Sequence, residues 1–599
     1  MDVTAAEVET RSSRRIRQPV PALVAVLLAT IVLAGLTLVL VQTSGWHGQG
    51  RPPAFEFLFL RDEPAAAWLS CLIILVAALA SRAPRMPDRP FVAELANKPL
   101  PFIACVTVAL AASAVLVYRG HALSMDEYAP LFQARIFARG RLMAEVPPEL
   151  VGHLVPPVRW FIEASPDGRM LSAYWPGFAL LLTPFAWAGA PWLLNPLIGG
   201  ATLWMSWWIA RRLWPDTAAG GWALLLTAAS PAFVVNAISL YSMPAHLLAS
   251  LCFTALLLDP TPRRLLCAGA VGSLALTLHH PLPHTLYAIP WLGALALRRG
   301  RVRSLATLAA GYLPGLVLLG AGWFWVRAQV GGNEETAARG LGAVASILGR
   351  LAFTMPSLHL LRSRAVNLSE LALWAVPGLL ALACAGVWWR RAEPAVRLFA
   401  ASALLTLAGY FFVPYDQGHG WGYRYFHASW GALPLLAACA LEHPAAGASL
   451  RRMTLIAALA SLLLGNGLRF FQVRSFIDGQ LRQVPTPSAP ARFEVVFMRL
   501  DRGYYTVDLV QNDPFLEGSR WILLSRGPED DARFMAHFFP GARSAVRTPL
   551  AELWQQDRPQ ALALMRNPPL KSPQIRRPRC SRSSSRSSVS ARTGGPAGR

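Results

Sequence analysis

The run VPALVAVLLATIVLAGLTLVLV, from Val20 to Val41, carries no charge over 22 positions. About 20 mostly apolar residues in a helix cross the roughly 30 Å hydrocarbon layer of a bilayer, so this run is long enough to span one. Its apolar length exceeds that of a signal peptide, and no small-residue cleavage site follows near Gln42, so it reads as an anchor. Applied outward, the same measure predicts crossings near 65–80, 100–118, 192–210, 218–236, 244–258, 264–279, 284–297, 304–326, 368–388, 398–413, 427–441 and 453–468, thirteen with the first. The stretch from Trp175 to Ala190 is apolar but interrupted by Pro176 and Pro184; it is a half-helix or a further crossing.

Composition agrees. The 599 residues are 54% hydrophobic and 15% charged, with a mean hydropathy of +0.38. A soluble domain carries about 25% charged residues, so a water-soluble enzyme is excluded. Disorder over most of the length is excluded as well, because 21 Trp, 27 Phe and 12 Tyr are too much apolar surface to leave solvated. The formal charge of +23 is spread over short Arg clusters between apolar runs and over a tail with eight basic and no acidic residues from Lys571 to Arg599. That is loop charge, and no nucleic-acid partner is expected. Six of the seven cysteines lie in apolar runs and no Cys-x-x-Cys occurs, which indicates neither a disulfide framework nor a thiolate metal site.

Cationic clusters mark the cytoplasmic side of short loops. Arg11 to Arg17, Arg82 to Arg89, Arg211-Arg212, Arg263-Arg264, Arg298 to Arg303, Arg390 to Arg397 and Arg451-Arg452 recur after every second predicted crossing, which places the N-terminus inside. Three large segments then face outward: 119–175, 327–367 and everything past about 470. The first carries Arg119, Arg135, Arg139, Arg141, Arg159 and Arg169; long loops are translocated largely regardless of such charge.

The outer loop opens with HALSMDEYAPLFQARIFARGR, His121 to Arg141. Asp126 and Glu127 are adjacent carboxylates just beyond the third crossing. If the segment is helical, Tyr128, Phe132, Arg135 and Arg139 share one stripe, suited to a helix in the head-group layer with Arg reaching phosphates. The plainer alternative is that Asp126 caps the helix and Glu127 favours its positive end. Further on stand Ser172 to Phe178 (SAYWPGF), the helix end Ala210 to Leu213 (ARRL) and the late outer loop Trp421 to Phe426 (WGYRYF).

In their order and sidedness, these pieces resemble the GT-C membrane glycosyltransferases, especially the bacterial relatives of protein O-mannosyltransferase and of the lipid A aminoarabinose transferase. The resemblance covers roughly residues 100–470. It implies a mainly α, polytopic helical bundle that transfers a sugar from a polyprenyl-phosphate donor, with inversion, to a hydroxyl, amine or phosphate on a glycan, lipid or protein acceptor. By motif position it assigns Asp126 as base and Glu127 as an acceptor or metal contact. It sets Arg424 on the lipid phosphate with Tyr423 and Tyr425 beside it, while the helical stripe is what puts Arg135 and Arg139 on phosphate or lipid. Arg424 also reads as a snorkelling residue at a helix end.

Where relatives often show Arg-Pro, this chain has His279-His280-Pro281-Leu282-Pro283-His284. His280 and His284 have the spacing of a helical metal pair, but the prolines argue against a regular helix; phosphate contact and capping are the other readings. No cofactor is certain, and a divalent metal on Glu127, His280 and His284 stays open. His246, within the sixth crossing, reads as a packing residue.

Residues 1–99 form an N-terminal arm with two extra crossings, and 100–470 form the transmembrane core. Residues 471–552 carry strand-like FEVVFM and WILLS runs and a helix start at Pro528, which predict a small outer α/β domain, a lid or an acceptor guide. Residues 553–599 read as a disordered Ser/Arg-rich tail. The expected location is the bacterial cytoplasmic membrane. The competing classes are a multi-pass transporter or lipid flippase, which would place ionisable residues inside the spans, and a non-catalytic envelope assembly protein.

Overall fold

The computed structural model describes residues 20–43, 54–82, 90–155, 161–331, 357–413, 417–487, 489, 491–503 and 505–557. The Arg11–Arg17 cluster, Arg159, most of the 327–367 loop and the tail from 558 lie outside the described residues. About 70% of the described residues are helical.

Among the described residues, six helices are long and apolar enough to cross a membrane: Ala22–Thr43, Ala54–Ala80, Pro99–Leu116, Arg301–Val330, Pro394–Phe411 and Pro444–Leu481. A seventh is gained if Ala219–Ala228 and Pro231–Ile238, bent by 60° at Pro231, count as one span. The chain is a multi-pass membrane protein. The expected thirteen full-length crossings are not all present as such. Several apolar runs form shorter helices, such as Met243–Leu258, Leu379–Trp389 and Ala432–Leu441. The predicted crossing at 368–388 straddles two helices, Leu358–Leu373 and Leu379–Trp389. Between them Pro377 has no N–H to offer a helix, and Gly378 takes a φ of 94° that a side chain would resist.

Close helix packing fixes the bundle around the histidine loop. Helices Pro262–Thr277 and Arg301–Gly315 cross where a Cβ on Gly269 would lie 2.2 Å from the Leu308 carbonyl oxygen, so only glycine fits.

Two sheets sit beside the bundle. Within the 119–175 loop, Ala144–Glu145, Arg169–Ser172 and Ile162–Ala164 form an antiparallel three-stranded sheet with Arg169–Ser172 in the centre. Towards the C-terminus, strands order as Arg520–Leu524, Phe493–Met498, Ala551–Gln556, Arg543–Arg547; the first pair is parallel and the others antiparallel. Helix Pro528–Phe538 joins this sheet's core through Phe534 and Met535. The same cluster takes in Met125, Tyr128 and Phe132, so the C-terminal sheet and the start of the outer loop share one apolar core.

Candidate active site

Helix Met125–Ala138 sets Asp126 and Glu127 in its first turn, and the two carboxylates go opposite ways. Glu127 is fully buried. Its carboxylate accepts the Tyr118 hydroxyl at 3.0 Å, the Leu123 N–H at 2.5 Å and the Leu240 N–H at 2.7 Å. Burial pushes its carboxyl up to about 8 even though those donors favour the ionised form. Tyr118 in turn accepts from Trp421 Nε1 at 3.0 Å, so Glu127 cross-links the helix start, the 239–242 turn and the WGYRYF loop.

Asp126 does not cap its own helix. Its side chain, 14% exposed, accepts the Tyr174 hydroxyl on Oδ1 and stands 2.7 Å from Arg424 Nη2 on Oδ2. Burial opposes its ionisation, but Arg424, His279 and Tyr174 outweigh that and hold the carboxyl below its usual range. Gln133, buried in the same helix, accepts from Ser172 N at 3.0 Å and donates to Leu142 O at 3.0 Å. This ties the helix to the central strand of the small sheet, and Tyr174 follows two residues beyond. Trp323 Nε1 then fixes the Tyr174 carbonyl at 2.8 Å.

Arg424 begins the turn Arg424–Ser429, and its side chain is 7% exposed. Gln417 holds it in place: the Gln417 carbonyl accepts from Nη2, its Oε1 accepts Arg424 N at 3.0 Å, and its Nε2 donates to Gly422 O at 2.8 Å. Gly420 has a φ of 145°, and a Cβ there would lie 2.5 Å from Arg424 Cδ. The loop therefore needs glycine where the arginine folds back. The guanidinium lies 5.2 Å from the Tyr241 ring centroid.

A small cavity beside this pair is bordered by Met243, His246, His279, His280, Arg424 and Tyr425. Arg424 Nε and Nη1 have no hydrogen-bond partner among the described residues, nor has either ring nitrogen of His246, which is 3% exposed. A buried donor without an acceptor costs about 1–3 kcal/mol, so such groups stand out where a polar ligand is expected. His246 thus lacks the hydrogen bonds that a satisfied packing residue would make.

The other residues singled out in the sequence spread around this centre. Tyr425 borders the cavity and stacks on Tyr410 at 4.6 Å, whereas Tyr423 stacks on Phe426 and does not line it. His280 borders the cavity; His284 turns to the Tyr312 hydroxyl at 2.7 Å. Arg139 pairs with Glu517 and lies over the Phe515 ring, and Arg135 is half-buried on the same helix. Tyr128 and Phe132 are buried under the C-terminal sheet rather than laid in a head-group layer, since that sheet covers their stripe. Among the described residues, no three His, Cys, Asp or Glu side chains gather closely enough to hold a metal ion. Glu127, His280 and His284 each face different partners. Tyr174, His279, Tyr241 and Gln417 belong to the site without having been expected there. The Tyr-x-Pro-Gly run and the paired histidines were the signals for the first two.

No protein-family model and no curated relative matches the sequence. Among solved structures, the chain is similar to ArnT from Cupriavidus metallidurans. The structure bound to undecaprenyl phosphate is 14% identical, with 76% of this chain and 97% of that one covered and a TM-score of 0.48. The apo structure gives 14%, 77%, 98% and 0.47. An overlap this loose carries no statement about activity.

Proposed function

We propose that the protein transfers a sugar from a polyprenyl-phosphate donor to an acceptor on the outer face of the membrane. The observation that carries this reading is the meeting of Asp126 with Arg424 at a cavity where, among the described residues, the arginine keeps two N–H nitrogens without acceptors.

In the proposed reaction the acceptor hydroxyl attacks the anomeric carbon from the face opposite the lipid phosphate. The bond from that carbon to the phosphate oxygen breaks with its electron pair on the phosphate, and the configuration inverts. Asp126, held ionised, takes the hydroxyl proton. Arg424 meets the charge developing on the departing phosphate through its spare N–H groups. Tyr174 keeps the carboxylate aimed.

The reading places the chain in the bacterial cytoplasmic membrane, N-terminus inside, with an outer α/β domain that runs through strand Ala551–Gln556, past the boundary at 552 and into the stretch from 553 expected to be disordered. Membranes holding the full chain and supplied with radiolabelled polyprenyl-phosphate sugars test it. Label should pass to an acceptor with the wild-type chain and not with Asp126→Asn at equal protein amount. Equal incorporation by the variant refutes the assignment. Glycan mass spectrometry of a deletion strain then identifies the sugar and acceptor.

A further inference from the structure

The helix that carries Asp126 begins without a cap of its own. Ser124 stands at the cap position with extended backbone, φ −137° and ψ 166°, yet its hydroxyl goes to the Tyr241 hydroxyl at 2.9 Å. The helix's first amide, Met125 N–H, donates instead to Asp508 Oδ1 at 2.8 Å, across 383 positions of sequence. The other oxygen of that carboxylate lies 2.9 Å from His419 Nε2, in the loop that leads to Arg424. Asp508 sits in the turn Thr506–Leu509, is 5% exposed, and comes from the C-terminal sheet region.

Its surroundings leave little room for play. Gln511 Nε2 donates to Ala122 O at 2.5 Å, and Gln480 Nε2 donates to Leu123 O at 3.2 Å. The Tyr128 hydroxyl donates to Asn512 O at 2.6 Å and accepts Asn512 N at 2.9 Å. The His419 ring meets the Tyr505 ring edge-on at 4.4 Å. One carboxylate thus touches the residue before Asp126 and the loop that carries Arg424.

We propose that Asp508 is a positioning residue for the Asp126–Arg424 pair, so that the C-terminal region is a working part of the site. The inference rests on the glycosyl-transfer reading above. An anionic oxygen on the first amide compensates the helix's positive end and fixes where its first turn begins. The same carboxylate lies 2.9 Å from His419 Nε2 without hydrogen-bond geometry, so it packs against the loop in which Gln417 grips Arg424. A misplacement of about 1 Å between reacting groups costs on the order of 10²-fold in rate, so a small shift of either element is enough to matter.

The test uses the full chain in membranes and whichever labelled polyprenyl-phosphate sugar the wild type turns over. Asp508→Ala should lower kcat by about 10²-fold. Asp508→Asn, whose amide oxygen still accepts from Met125 N–H, should recover to within about tenfold of wild type. His419→Ala combined with Asp508→Ala should be no worse than Asp508→Ala alone, because the two act through one contact. Tyr128→Phe cuts the neighbouring tie between the same two segments without touching Asp508, and it should keep the wild-type kcat. Equal losses in Tyr128→Phe and Asp508→Ala, or Asp508→Ala at wild-type rate, overturn the proposal. If Asp508→Ala fails to accumulate, Asp508→Asn and His419→Ala carry the test: both at wild-type kcat overturn it, and a loss in either at an unchanged thermal midpoint supports it. A wild-type chain that transfers none of the sugars counts against the glycosyl-transfer reading instead.

Discussion

Two of the carboxylate–guanidinium pairs among the described residues lie deepest in the fold, and they are built differently. Glu63 and Arg469, each 2% exposed, meet side by side: Nη1 to Oε1 at 2.9 Å and Nη2 to Oε2 at 2.8 Å. Gln472 accepts from Nη1 at 3.0 Å, the Trp374 ring lies 4.0 Å under the guanidinium, and Trp374 Nε1 donates to Glu63 at 2.8 Å. Asp126 and Arg424 touch through a single Nη2 contact, next to a cavity, with Nε and Nη1 unused. A buried pair with its donors spent is a bolt between helices; one with donors left over is a place for an anion. Glu63 lies in the candidate span Ala54–Ala80, where a transporter would keep ionisable groups. Its side-by-side geometry spends both terminal nitrogens of Arg469 on the protein, which weighs against that class.

The sharpest way to break this contrast is to damage each pair and ask which quantity falls. Asp126→Asn should cost about 10²–10⁴-fold in sugar transfer, as loss of a general base does, with a thermal midpoint in detergent that falls by less than in Glu63→Gln. Glu63→Gln should do the reverse. It strands a buried guanidinium, which costs about 3–5 kcal/mol of stability, while the activity of each folded molecule survives. If both substitutions lower the same quantity, the two pairs are not different in kind. A finer cut is Arg424→Lys, which keeps the charge and loses the planar fork. The KM for the lipid-phosphate donor should rise about tenfold, whereas a snorkelling role for Arg424 would leave it in place.

What could be read from the sequence follows the range of the interactions. Apolar runs show a crossing because lipid demands length and nothing else, so helices appear near nearly every predicted span. Their number and ends were harder, because Pro231 bends one run and Pro377-Gly378 divides another. Asp126 was visible as a carboxylate at a helix start beyond a span, but its neighbour Glu127 had the same local signature. Only the folded positions of Tyr118 and Leu240 separate the two. Asp508 left no trace at all, since its partners Met125 and His419 are remote in sequence. Glu63 and Arg469 offered a weak one, charged residues at the edges of apolar stretches.

The smallest expected effect lies in the acid limb of the pH–rate profile. Burial alone would raise the Asp126 carboxyl; Arg424, His279 and the Tyr174 hydroxyl bring it below the ordinary range of about 4. A base is competent when ionised, so transfer should hold steady from about pH 8 down to about pH 5 and fall only below about pH 4. The sign for folding is the same: a depressed carboxyl lends stability above its unfolded value and loses it as pH drops through the folded one. Brief acid exposure with assay after return to neutral separates the two losses. Tyr174→Phe removes one stabilising donor and leaves Arg424, so the limb should move upward by less than about one pH unit, and the rate at neutral pH should fall by less than about tenfold. Burial pulls His279, whose ring lies 4.3 Å from that of Tyr174, down to about 4 as well, so the limb alone does not separate it from Asp126. His279→Gln separates them: it should keep the rate within about tenfold, and a loss as large as that of Asp126→Asn would make the imidazole the base and leave Asp126 only to hold Arg424.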